Sequence, residues 1–128
     1  MVKMKIEVSI GEIVDKLSIL QIKKLNIVDE DKLVNIKKEF DYLLEVVESD
    51  LNFSTSNELY EELFITNKKL WDIEDKIRDK ERDKSFDEEF IELARSVYFT
   101  NDERSKIKKD INIKYGSNFV EEKSYKDY

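Results

Sequence analysis

Polar side chains that can bind ligands recur in the second half of the chain, where helical spacing would place apolar residues. Four leucine and isoleucine residues define the apolar face of one predicted helix: Leu59, Leu63, Leu70 and Ile77. At roughly 100° per residue, Asn67, Glu74 and Arg78 fall inside or beside that face, next to Tyr60 and Trp71. Burying such groups is costly unless they are paired. The pattern therefore predicts either a structural salt bridge or a polar pocket between helices, a common ligand site in bundles.

The next predicted helix repeats this arrangement. Phe90, Ala94 and Val97 share its inward face, and Asn101 continues that face one turn later. Arg104 and Lys108 follow if the helix continues, and two further side chains, Arg95 and Tyr98, flank the face. Arginine offers planar paired donors that match carboxylate and phosphate groups. Asp102 is better explained as a helix cap, although it is also a candidate acceptor for hydroxyl groups.

These residues together form the candidate site. The ligand-binding candidates are Asn67, Trp71, Glu74, Arg78, Arg95, Tyr98, Asn101 and Arg104, and the catalytic candidates are Glu74 and Asp102. Two helices joined by a short turn should pack antiparallel, which predicts that Glu74, Arg78 and Arg95 meet between them. Two arginines against one carboxylate would leave positive charge for an anion. The expected ligand of such a cluster is an anion, such as a phosphate or a carboxylate.

The composition excludes several other kinds of chemistry. The chain has neither cysteine nor histidine, so disulfides, thiolate catalysis and histidine-based metal binding are absent. Glu61 and Glu62 resemble the start of the acidic motif of all-α nucleotide pyrophosphohydrolases, but Ile65 occupies the third position of that motif. We therefore expect no metal and no cofactor. Any catalysis would depend on carboxylates, lysines, arginines or tyrosines.

The charge balance also limits the partners. With 23 basic and 30 acidic residues, the net charge is −7, which disfavours binding to nucleic acids. No run approaches the roughly 18 apolar residues of a membrane span, and the N-terminus lacks the apolar core of a signal peptide. We therefore expect a cytoplasmic protein that binds neither nucleic acid nor membrane.

The elements that position the candidate residues are predicted to be helices. The chain has no proline and two glycines, and its apolar residues recur with helical spacing, so the fold class is all-α with four or five helices. Capping boxes begin at Ser9, Thr55, Ser85 and Thr100, while Asp29 or Asp31 caps the second helix. The cap at Thr100 predicts a kink or a restart near Asn101 and a fifth helix that ends at Tyr115, with Gly116 as its stop. Residues 1–128 form one domain, with a polar tail from about residue 117.

The N-terminal segment has a different periodicity. Apolar and polar residues alternate over residues 2–8, which predicts a short β-strand or an extended segment. A single strand is unstable, so it would pair within the chain or with a second copy in a homodimer.

Four segments of the chain together resemble a family of small bacterial and phage proteins known only as a domain of unknown function. They are VSIGEIVDK at 8–16, LWDIEDKIR at 70–78, LARSVYFTNDER at 93–104 and EEKSY at 121–125. The family pattern includes the candidates named above, together with Asp75 and Asn112. The resemblance implies a link to surface-polysaccharide assembly, with a sugar, a sugar nucleotide or a glycosyltransferase as partner. The lysine-, isoleucine- and asparagine-rich composition suits a marine bacterium or phage.

Two functions follow from these observations. In the first, the polar cluster binds or converts an anionic small molecule. In the second, the cluster is a structural network, and the protein is an accessory or assembly module that acts through protein contacts. Natural contact surfaces for such a module would be residues 2–8 and the aromatic residues of the tail.

Overall fold

The computed structural model describes residues 1–128 and contains four α-helices and no strand. The helices are α1 (Ile10–Asn26), α2 (Glu30–Leu51), α3 (Glu58–Arg82) and α4 (Glu88–Lys114). The predicted all-α class is therefore confirmed, with four helices rather than five. None of the four combines the length and apolarity that a membrane crossing requires.

Side-chain caps determine where the helices begin. The Ser9 hydroxyl accepts a hydrogen bond from the Glu12 amide at 3.2 Å, and the Asp29 carboxylate accepts one from the Lys32 amide at 3.0 Å. Both caps agree with the sequence pattern. The predicted cap of α3 is displaced by two residues, because Asn57 rather than Thr55 accepts hydrogen bonds from the first-turn amides. An asparagine directly before the helix is the stronger cap.

The fourth helix differs most from its prediction. Its cap is Asp87 rather than Ser85, whose hydroxyl donates to the Asp87 carboxylate at 3.2 Å. The predicted restart near Asn101 is wrong, since α4 continues unbroken and Thr100 lies buried within it. A helix that packs along its length against a neighbour has no reason to break at a local capping pattern. The stop at Gly116 is confirmed by its left-handed φ of 66° directly after the helix.

The predicted strand at residues 2–8 does not form in the single chain. Residues 1–9 belong to no helix or strand, and the apolar side chains of Val2, Met4 and Ile6 are exposed. The tail, residues 117–128, lies nearby and meets this segment through the Asn118 amide, which donates to the Glu7 carboxylate at 2.9 Å. No backbone ladder joins the two segments, and a lone strand without one is unstable.

Helix α1 is the centre of the bundle. It packs against α2, α3 and α4, and α3 packs along α4 as an antiparallel hairpin. The buried core brings together all four helices and the loop before α3: Val14, Leu17, Leu20, Phe40, Val47, Phe53, Tyr60, Leu63 and Ile111. We call this part of the molecule the body.

The hairpin extends beyond the body. In its outer part, residues 70–100, the only buried side chains are Ile73 and Thr100. Phe86, Ile91 and Phe99 are exposed there. Five of the eight predicted binding residues belong to this outer hairpin, and the other three lie next to it in α3 and α4: Asn67, Asn101 and Arg104.

Candidate functional site

The site is built on a carboxylate that lies inside the bundle. Asp15 of α1 is 2% exposed, and the Arg104 guanidinium of α4 pairs with both of its oxygens, with Nε at 2.9 Å from Oδ1. The Asn67 amide of α3 donates to Asp15 Oδ1 and to Ser18 Oγ, both at 2.8 Å. The Ser18 hydroxyl donates to the Asp15 backbone carbonyl at 2.7 Å. Three helices therefore contribute to one network, and no buried side-chain polar atom lacks a partner.

A second cation lies beside this pair. Lys108 Nζ is 2.8 Å from Glu12 Oε2, 3.2 Å from Glu121 Oε2 and 4.0 Å from Asp15 Oδ2. Burial alone would lower the pKa of Lys108, but these carboxylates raise it above its usual value. The hydrogen bond to Asp15 likewise raises the pKa of Arg104, against the effect of its burial. Both side chains therefore stay charged.

A close crossing of α1 and α4 places these groups within reach of each other. The Gly11 amide donates to Asn112 Oδ1 at 2.6 Å, and the Ile10 amide donates to Ser117 Oγ at 3.1 Å. A Cβ atom on Gly11 would lie 2.6 Å from the backbone oxygen of Lys108. The absence of a side chain at Gly11 thus allows α1 to lie directly on α4.

An open groove of about 480 Å³ lies over the network, between α1, α3 and α4. Six of the predicted binding residues line it: Asn67, Trp71, Glu74, Arg78, Asn101 and Arg104. Its apolar lining comes from Trp71 together with Ile19, Ile22 and Leu70. The buried Asn67 and the partly buried Arg104 form part of its wall, while Glu74 is exposed and Arg78 extends into solvent.

The prediction that Arg95 meets Glu74 and Arg78 is wrong. Arg95 instead pairs with Glu92 on its own helix at 3.2 Å and lies over the Phe99 ring at 5.9 Å. Arg95 precedes Arg104 by nine residues. At roughly 100° per residue it therefore points to the opposite side of the helix.

The charge of the groove changes accordingly. Arg78 pairs with Glu74 at 3.4 Å, Arg104 pairs with Asp15, and Asp75 adds a further carboxylate to the lining. The groove is thus lined by two arginines and two carboxylates. The excess of positive charge expected from an arginine pair on one carboxylate is absent.

Two further candidates lie outside the groove. Tyr98 packs against the Tyr128 ring of the tail, with ring centroids 5.3 Å apart. The Tyr128 hydroxyl donates to the Asp102 carboxylate, which raises the pKa of Tyr128 to about 12. Asp102 is not the N-cap of any helix, and this hydrogen bond fastens the end of the tail to α4.

Asp102 instead lines a second cavity of about 240 Å³, between α4 and the tail. The other lining residues are Asn101, Arg104, Ser105, Lys108, Lys123 and Tyr125. Because Asn101 and Arg104 also line the groove, these two side chains separate two neighbouring spaces.

Sequence reasoning missed Asp15 and Ser18, and it placed Lys108 on the inward face of the fourth helix without including it among the site candidates. A signal for the first two exists in α1, where Gly11, Asp15, Ser18 and Ile22 follow a spacing of four, three and four. This spacing defines one helix face, and its small and polar residues mark a close, hydrogen-bonded helix contact. Lys108 continues the face of Asn101 and Arg104 at helical spacing, but it also lies in a basic stretch that is typical of a solvated face.

Comparison with known proteins gives one match. The model of a family described as a family of unknown function (DUF6165) matches residues 4–128, and the chain belongs to that family. No curated protein and no solved structure matches it.

Proposed function

We propose that this member of a family of unknown function binds a small polar ligand in the groove between α1, α3 and α4. The ligand class that fits best carries hydroxyl groups and an anionic group, as a sugar phosphate or a nucleotide sugar does. One observation carries the proposal: six of the eight ligand-binding candidates chosen from the sequence, five of them polar, line a single open groove.

The chemistry of the groove suits such a ligand. Trp71 offers an aromatic surface on which a sugar or base can stack. The Nδ2 group of Asn67 is used by Asp15 and Ser18, which leaves its Oδ1 to accept a hydrogen bond from a ligand hydroxyl. Balanced arginine and carboxylate side chains favour a ligand with both hydroxyl and anionic groups over a bare anion.

The two arginines would have different roles. Arg104 is held by Asp15, so it forms a fixed wall and keeps further N–H groups for a ligand. Arg78 is 70% exposed and paired only within its own helix, so it can exchange Glu74 for an anionic group of the ligand at little cost. A fixed wall with one adjustable arginine reduces the ordering that binding requires.

Trp71 provides a direct test, because it is the only tryptophan in the chain and lines the groove. We expect a sugar phosphate, nucleotide or nucleotide sugar from a panel to change its fluorescence. The same compound should stabilise the fold by about 2.7 kcal/mol at a hundredfold excess over Kd. If no compound of the panel changes the fluorescence, the proposed ligand class is wrong.

Arg95 supplies a matched control for the role of Arg78. Both are exposed arginines paired with a glutamate on their own helix, but only Arg78 lines the groove. Arg78→Ala should weaken the affinity measured by fluorescence about tenfold or more, because one charge-assisted hydrogen bond is lost. Arg95→Ala should leave the affinity unchanged. Equal responses of the two variants would contradict the proposed site.

The wider setting of this function is also a proposal. Glu74 remains the catalytic candidate in the groove, whereas Asp102 belongs to the second cavity. The family resemblance favours a role in bacterial or phage surface-polysaccharide or nucleotide-sugar metabolism. The absence of cysteine suits a cytoplasmic location.

A second candidate function is the accessory module. Exposed apolar side chains at Phe86, Ile91 and Phe99 on the outer hairpin favour it, as do those of residues 2–8, which could pair with a second copy. Light scattering of the full chain and of a variant lacking residues 1–7 tests this arrangement. A dimer that dissociates on the deletion supports it, and a monomer in both cases excludes the homodimer.

A further inference from the structure

The second cavity lies between α4 and the tail, and both contribute a lysine to it. Lys108 comes from α4 and Lys123 from the tail. One carboxylate joins them, because Glu121 Oε2 is 3.2 Å from Lys108 Nζ and Glu121 Oε1 is 2.6 Å from Lys123 Nζ. The tail thus supplies both a cation of the cavity and the anion that neutralises it.

This lysine pair has the properties of an anion site. Lys108 is largely buried and is held from the α1 side by Glu12 at 2.8 Å, so its position does not depend on Glu121. Ser105 and Tyr125 line the same cavity and can donate hydroxyl hydrogen bonds. Lysine ammonium groups suit phosphate, which they bind as point charges.

The cavity also adjoins the groove. Asn101 and Arg104 line both spaces, so one ligand can extend from Trp71 past these two side chains to Lys108. The cavity volume of about 240 Å³ leaves room for a phosphate group, and Glu121 is not one of the residues that line it.

We propose that Lys108 and Lys123 form a subsite for the phosphate group of the ligand, and that Glu121, which pairs with both lysines, competes with that phosphate group for them. The inference rests on the proposed function for the part of the ligand that lies in the groove. A phosphate carries close to two negative charges against one for glutamate, so it displaces Glu121 at sufficient concentration. Binding then moves the tail.

The tail is held weakly enough for this exchange. Its ion pairs to α4 are partly or largely exposed, including Glu122 with Lys109 at 3.7 Å. Exposed pairs contribute little stability. The aromatic contact of Tyr128 with Tyr98 and Phe99 keeps the end of the chain close while the middle of the tail exchanges.

Inorganic pyrophosphate is a suitable probe, measured by calorimetric titration of the full chain. Glu121→Gln removes the competitor, so we expect binding to tighten roughly threefold to fivefold, the factor for losing one partly exposed ion pair. Glu122→Gln is the matched control, because it removes the same charge from the next residue, which pairs with Lys109 and with neither lysine of the subsite. It should leave the affinity within about twofold, since it changes only screened, longer-range charge.

A second pair of variants tests the cation. Lys123→Gln should weaken pyrophosphate binding by a similar factor, while Lys126→Gln, a lysine of the tail outside this cavity, should not. Equal affinities of Glu121→Gln and Glu122→Gln, unchanged binding in Lys123→Gln, or no binding at all would each overturn the subsite.

The pyrophosphate readout separates this inference from the proposed function. It does not depend on Trp71 or on any compound in the groove. If pyrophosphate affinity changes as expected in Glu121→Gln and Lys123→Gln but no groove ligand is found, the subsite is supported and the groove site is ruled out. A groove ligand whose affinity is unchanged by Glu121→Gln and Lys123→Gln would support the groove site and rule out the subsite.

Discussion

The two ion pairs on either side of the groove contain the same chemical groups in opposite surroundings. Asp15 and Arg104 join α1 to α4, and their side chains are 2% and 28% exposed. Glu74 and Arg78 lie on one helix and are 47% and 70% exposed. The first pair belongs to the body and the second to the outer hairpin.

The difference in burial determines which pair stabilises the fold and which pair is free to bind a ligand. Removing one partner of a buried pair strongly destabilises the folded protein, because the remaining side chain stays charged without a counter-charge. An exposed pair contributes little and can exchange its partner for a ligand. A site assembled from both kinds has a fixed wall next to adjustable side chains, which suits ligand binding.

The largest expected effect is at Asp15. Asp15→Ala should lower the free energy of unfolding by about 3–5 kcal/mol, because Arg104 and Lys108 lose their buried counter-charge. Urea denaturation monitored by circular dichroism measures it. Glu74→Ala, the same kind of truncation in the exposed pair, should change stability by no more than about 0.5 kcal/mol. Similar changes in the free energy of unfolding for the two variants would contradict the difference between the buried and the exposed ion pair.

The next effect concerns the crossing that places Asp15 beside α4. Gly11→Ala should destabilise the fold by about 1–3 kcal/mol, because the new Cβ would lie against the backbone of Lys108 and α1 would have to shift. The higher helix propensity of alanine, about 1 kcal/mol, opposes this and is outweighed. Thermal melts measure the change, and a melting temperature that rises would show that the crossing is not tight.

A third effect distinguishes a tyrosine of the body from one of the tail. Burial raises the pKa of Tyr60 far above its ordinary value of 10.0. The folded state therefore keeps the Tyr60 proton as pH rises above about 10, while the unfolded state releases it, so stability falls with increasing pH.

Denaturant melts at pH 9 and pH 11 test this dependence. Tyr60→Phe should remove up to about 1.4 kcal/mol per pH unit of the slope above pH 10. Tyr128→Phe should reduce the slope less than Tyr60→Phe does, because Tyr128 is exposed and solvent screens the hydrogen bond to Asp102 that raises its pKa. A slope that is the same in wild type and Tyr60→Phe would show that Tyr60 ionises freely.

Local interactions explain which parts of the fold could be predicted. The caps at Ser9 and Asp29 and the stop at Gly116 involve residues within one turn of each other, so the sequence pattern suffices. Thr100 matches the same capping pattern, but tertiary packing buries it inside α4. The strand at residues 2–8 fails for a similar reason, since its periodicity cannot supply a pairing partner.

Only those site residues could be predicted whose position on a helix face follows from their spacing in the sequence. Polar residues on the apolar face of α3 identified Asn67 and Trp71, which do line the groove. Asp15 was not predicted as a site residue, because its partner Arg104 is 89 residues away and no local sequence pattern indicates such a pairing. Arg95 was placed wrongly because it only flanks the inward face that correctly gave Asn101 and Arg104, and nine residues put it on the opposite side of α4 from Arg104.

The smallest expected effect is the coupling within the exposed pair, and a double-mutant cycle measures it. Glu74→Ala, Arg78→Ala and the double variant should give a coupling free energy of about 0.3–0.5 kcal/mol, the usual value for exposed pairs one turn apart. Such a weak coupling is what allows Arg78 to leave Glu74 for a ligand. If the coupling instead exceeded about 1.5 kcal/mol, above the range for exposed pairs, Glu74 would hold Arg78 as firmly as Asp15 holds Arg104. The groove would then have no adjustable cation, and the proposed role of Arg78 would have to be abandoned.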